Sequence, residues 1–170
     1  MGATEVDGHS FKDIGLPEFT VISRKESETG DILYTVEPKE RIADCPACGG
    51  KLHIHKDAKR KVKDLDEFGH RVGIVVKGKS YRCKDCGETV REEYASICGQ
   101  MTRRMVESIQ RDVFGDMTFT QIARRYNVSV STVQGLFEEQ GEKLWTAYHF
   151  VTPRVLGIDE VHLNLSLIHI

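Results

Sequence analysis

No run in this chain approaches the roughly 18 apolar residues of a membrane span, and Met1 to Phe19 is acidic without an apolar core of signal-peptide length. Those absences predict a protein without membrane association, in a reducing cytoplasm. Proline is scarce, at four residues, and a hydrophobic content of 39% with 29% charged residues is too apolar for a disordered chain. A charge excess is also lacking, since the formal net charge is -2. That sum hides an uneven distribution. Residues 1–40 hold 4 basic and 9 acidic side chains, whereas residues 41–94 hold 13 and 9, crowded into Lys51, Lys56, Lys59, Arg60, Lys61 and Lys63. Such a cluster is a candidate surface for a nucleic-acid backbone, with a solvated charged face as the alternative.

At 170 residues the chain has room for one ordinary domain or for two to three small ones supported by metal. The β-prone runs starting at Phe19 and Ile32, joined by Glu26-Ser-Glu-Thr-Gly-Asp, predict a hairpin. From Cys45 to Glu93 four short strands are expected, at 51–55, 61–65, 73–77 and 79–82, with glycines 69, 73 and 78 read as breaks. The character changes at Cys98-Gly-Gln. Met101, Met105, Ile109 and Val113 recur every four residues, which predicts a helix, and helices should continue to about Tyr148. After Pro153 the apolar run 155–163 reads as a buried strand. The expected organisation is therefore a multidomain α+β chain. It comprises a hairpin segment at 1–40, a zinc ribbon at 41–94, a helical domain at 95–150 and the start of a further domain at 151–170.

Cysteine is used with strict economy. Cys45-Pro-Ala-Cys48-Gly-Gly and Cys83-Lys-Asp-Cys86-Gly are two matched knuckles, each with glycine after its second cysteine. Two thiolates two residues apart can face one ion from a tight turn, and the glycine lets amide N–H groups point at the sulfurs. Four thiolates close the coordination sphere, so the predicted zinc is structural. Paired disulfides fit a reducing compartment poorly, and a redox pair has no need of a second matched knuckle. Cys98 is expected to be a small buried hydrophobe, and His53 and His55 to alternate on one strand face as surface or phosphate-contacting groups.

Thr118-Phe-Thr-Gln121 has the form of a capping box, so a helix should begin there and stop near Asn127. Ser129 can cap the next helix. Ile122, Ala123, Tyr126, Val128, Val133 and Leu136 then occupy the packing positions of a helix-turn-helix. In that reading Ser131, Thr132 and Gln134, with Ser129, face the major groove, while Arg124 and Arg125 hold phosphates. Arg103 and Arg104 are expected to lie exposed on the supporting helix. The alternative is an ordinary three-helix bundle in which these are plain surface residues.

The order of Leu16-Pro-Glu-Phe, Cys-Pro-x-Cys-Gly, Lys63-Asp-Leu-Asp, Tyr81-Arg-Cys-x-x-Cys-Gly, the paired helices and Gly157-Ile-Asp-Glu resembles the ISL-three family of bacterial insertion-sequence transposases. The resemblance implies end-recognition modules followed by a ribonuclease-H-like α/β domain, here truncated after its first strand. Asp159 then matches the first of three catalytic carboxylates, a magnesium ligand in the intact protein. It also implies double-stranded DNA as partner, namely the terminal inverted repeats of a transposon, with self-association on that DNA. One carboxylate cannot hold two metal ions, so this chain is expected to recognise DNA without cutting it. A non-enzymatic zinc-ribbon helix-turn-helix transcription regulator is the other function class these parts allow.

Overall fold

The computed structural model describes residues 5–6 and 14–148; the strand expected at 155–163, and Asp159 with it, lies outside the described residues. The described architecture is mixed, with one sheet, three helices and a four-cysteine cluster. Strands β2 (Phe19–Glu26) and β3 (Ile32–Pro38) form the expected antiparallel hairpin. Asp31 donates its N–H to Ser27 Oγ at 2.9 Å across the turn. Along β3 the side chains alternate as the pleat requires: Ile32, Tyr34 and Val36 are buried, and Leu33 points outward. A two-residue strand, β1 (Glu5–Val6), extends the sheet on the outer side of β2.

The four short strands expected in the middle of the chain are instead two long ones, β4 (Leu52–Glu67) and β5 (His70–Cys83), zipped into one antiparallel ribbon. The glycines explain the difference. Only Gly69 is a turn, at φ +84° beside Phe68 at φ +50°, the paired left-handed geometry of a tight two-residue hairpin loop. Gly73 and Gly78 stay within β5 as points of close approach. A Cβ on Gly73 would meet Leu33 Cδ1 at 3.1 Å, and one on Gly78 would meet the Tyr94 hydroxyl at 3.0 Å. Opposite Ile54 to Lys56 the register slips, so His55 occupies a bulge and does not continue the alternation begun by His53.

β3 lies parallel to β5, from Ile32↔Val72 to Val36↔Val76, so the sheet runs continuously across residue 40. Short strands β6 (Thr89–Arg91), β7 (Ile97–Cys98) and β8 (Met101–Thr102) complete it, in the order β1-β2-β3-β5-β4-β8-β7 with β6 on β5. One core fills its buried face, built from Leu16, Phe19, Tyr34, Val36, Val62, Ile74 and their neighbours.

Helix α1 (Arg103–Val113) starts two residues later than expected, because Met101 and Thr102 pair in β8 and Thr102 becomes the N-cap. α2 (Phe119–Tyr126) and α3 (Val130–Ala147) follow. Met105, Ile109 and Val113 from α1 pack with Ile122, Ala123, Val133 and Leu136 in a second core, to which Leu65 of β4 also contributes.

A polar joint ties this helical core to the sheet. The Asp64 side chain, 1% exposed, accepts from Thr102 Oγ1 at 2.6 Å and from Arg104 Nε at 2.8 Å. Arg104 also donates to the Ile14 carbonyl at 2.9 Å, so the side chain expected to lie exposed is half-buried in this joint. Next to it, Lys63 Nζ donates to the Asn127 carbonyl at 2.6 Å, and Arg71, paired with Asp66, donates to the Arg125 carbonyl at 3.0 Å. The Lys63-Asp-Leu-Asp segment is thus the hinge pin between the sheet and the helices.

Candidate functional site

The β4/β5 ribbon explains how two knuckles far apart in sequence meet. The first immediately precedes β4 and the second begins on the last residue of β5, and the register pairs Leu52 with Cys83. Backbone bonds lock the junction: Cys45 N–H to Gly50 O at 2.8 Å, Cys83 N–H to Glu88 O at 2.9 Å and Lys84 N–H to Lys51 O at 3.3 Å. Gly49 and Gly87, each directly after a knuckle's second cysteine, take φ +72° and +73°, a conformation that other residues adopt with strain. Gly50 is needed for a different reason, because a Cβ there would come within 2.1 Å of Asp85 Oδ2 on the opposing knuckle.

All four sulfurs lie within 4.8 Å of one another, with Cys45 and Cys86 at 3.8 Å and Cys48 and Cys83 at 3.5 Å. A tetrahedron with metal–sulfur arms of about 2.3 Å has edges of about 3.8 Å, so the donor set fits one zinc ion without rearrangement. The electrostatics agree. N–H groups of Cys86 and Asp85 donate to the Cys83 sulfur and draw its thiol down to about 7. Gly50 N–H favours the Cys48 thiolate, but the crowded Cys86 and Cys83 thiols, with desolvation and Cys45, push it up to about 12. So many thiols cannot all ionise at this spacing without a cation to offset their charge. Cys98 takes no part in the cluster, and it is exposed where a buried small side chain was expected.

The second group of candidate residues lies on α2 and α3. Thr118 and Gln121 form the reciprocal cap expected of them, with Thr118 N–H to Gln121 Oε1 at 2.8 Å and Gln121 N–H to Thr118 Oγ1 at 3.3 Å. Asn127 ends α2 in the left-handed conformation at φ 50°, and Ser129 Oγ accepts from Thr132 N–H at 3.1 Å to start α3. Ser131 and Gln134 are exposed on the first turns of α3, and Thr132 is half-buried. Arg124 is exposed, whereas Arg125 is drawn 3.2 Å from Asp112 and lies against the Tyr126 ring. Sequence reasoning singled out Lys63-Asp-Leu-Asp as a mark of resemblance but assigned it no role. Two charges beside an apolar residue in a strand were the available signal for a buried polar joint.

Among the described residues no helix is long and apolar enough to cross a membrane. No curated protein and no solved structure matches the chain. Residues 43–86 match the family model described as the zinc-finger of transposase IS204/IS1001/IS1096/IS1165. The matched span opens two residues before Cys45 and closes on Cys86, so it contains the whole sulfur cluster. The four-cysteine end of the β-ribbon is thus similar, over residues 43–86, to the zinc-finger of ISL-three family transposases.

Proposed function

We propose that this chain recognises the terminal inverted repeats of an insertion sequence, as the DNA-binding N-terminal part of its transposase. The match of residues 43–86 to a transposase zinc-finger carries the reading. The capped α2–turn–α3 unit supplies the reader, a helix-turn-helix in which Ser131, Thr132 and Gln134 enter the major groove. Gln can pair bidentately with adenine, and Arg124 can hold phosphate without reading sequence. Ser129 serves by capping the helix that presents them. In the intact protein, Asp159 belongs to a carboxylate set that would hold magnesium for phosphodiester cleavage, and copies of the chain would associate on the paired element ends.

The test is binding to an element-end duplex and to a scrambled duplex across a salt series. Gln134→Ala should reduce the preference between them by about 1–3 kcal/mol, and Arg124→Ala should weaken both complexes alike. Equal affinity of the unaltered chain for the two duplexes at every salt concentration would refute sequence recognition.

A further inference from the structure

Of the six basic side chains crowded between residues 51 and 63, three are engaged within the protein. Lys51 pairs with Asp44 at 2.6 Å, Arg60 donates to the Gly99 carbonyl, and Lys63 holds the Asn127 carbonyl. Lys56 is exposed, but it pairs in register with Ser80 and so projects from the opposite face of the ribbon to Lys59 and Lys61. Lys59 and Lys61 remain, exposed and without a hydrogen-bond or ion-pair partner among the described residues.

Period two along β4 puts Lys59 and Lys61 on the face of Lys63, at steps of about 6.6 Å, similar to the spacing of successive phosphates along one DNA strand. Directly opposite Lys59 stands Lys77, a like-charge pair that disfavours the ribbon unless an anion lies over it. Glu37 answers Lys77 at 3.7 Å, whereas the carboxylate whose field reaches Lys59, that of Asp57, is already paired with Lys79. The row also has a direction. It starts at Lys63, whose ammonium grips the turn two residues before the Ser129 cap of α3, and leads away from that helix. The row also leads away from the acidic hairpin turns, whose Glu26, Asp31 and Asp66 line one cleft with Lys63 and Asn127.

We propose that Lys59, Lys61 and Lys77 hold the phosphate backbone of duplex DNA beside the stretch that α3 enters, so that ribbon and helix bind one duplex together. This deepens the DNA-recognition reading and rests on it. A competing role exists for the same side chains. β4 meets β8 only at Lys63, and lysines on an open edge strand deter edge-to-edge pairing.

The experiment uses the zinc-loaded 170-residue chain, a duplex that it enriches from a randomised library, and a scrambled duplex of equal length. Lys59→Gln with Lys61→Gln should weaken binding to both duplexes equally and reduce the slope of log K against log salt by about 2. Between 50 and 200 mM salt, the advantage of the unaltered chain over this variant should shrink roughly tenfold. Lys59→Arg with Lys61→Arg should retain the original slope. An unchanged slope in the glutamine variant overturns the proposal, and if that variant also self-associates on a sizing column, edge protection is the role of these lysines. Absence of binding by the unaltered chain to any duplex would overturn the DNA reading itself, a result distinct from loss of the lysine contribution alone.

Discussion

Two knuckle amides point at the Cys83 sulfur and draw its thiol down to about 7, which favours the thiolate that a metal ion needs. Cys83→Ser should therefore abolish binding of about one zinc per chain, read by metal analysis of the reduced protein. The loss should be local. The hydrophobic core lies around Val62, Val72, Ile74 and Val76, along the ribbon from the sulfurs, and needs no metal to stay buried. Hydrogen exchange in this variant should accelerate at residues 43–54 and 82–88 while Ile74 and Val76 remain protected. Loss of protection throughout the sheet would show that zinc organises more of the fold than its own end. Ser129 makes a second residue-scale case, since its hydroxyl caps α3. Ser129→Ala should lower stability by about 1 kcal/mol, and Ser129→Asp should restore it, as thermal melts would report.

The β4/β5 ribbon turns on Phe68 and Gly69, and Phe68 is 94% exposed in a left-handed conformation that its Cβ disfavours. Asparagine suits that position of a two-residue turn. Phe68→Asn should thus stabilise the protein by about 1 kcal/mol, seen as a raised denaturation midpoint. This element also marks what the sequence disclosed and what it concealed. Caps and packing positions of α2 and α3 were legible because they depend on neighbours three or four residues away. The paired knuckles were legible because metal geometry restricts their spacing. Strand length was not, because a glycine that ends a strand and one that admits a partner's side chain are the same letter. Gly73 and Gly78 differ from Gly69 only in what packs over them: Leu33 from β3, and Tyr94 from the segment after β6. The parallel pairing of β3 with β5 was hidden for a related reason, since no local pattern encodes a partner 40 positions away.

Across the whole molecule, Asp64 joins sheet and helices through Thr102 and Arg104, and the Lys63 and Arg71 bonds to the end of α2 fix the orientation of α3. Asp64→Ala strands Thr102 in a buried position and leaves unpaired an Arg104 side chain that is 40% exposed, so water recovers part of the loss. The expected cost is roughly 2–3 kcal/mol, and calorimetry should resolve the single unfolding transition into two as the halves uncouple. A single unsplit transition would show that apolar contacts such as Leu65 hold the halves together without the polar joint. The parallel seam has a further consequence, for the order of events in time. β4 and β5 can zip locally from the Phe68-Gly69 turn, whereas β3 must find the other edge of β5 some 40 residues away. Docking of the β2/β3 hairpin is the long-range step, and it should pace folding. Because the sulfurs close the ribbon's far end, the main refolding phase should run at the same rate in zinc and in chelator, and the metal should act only on how slowly that end comes apart.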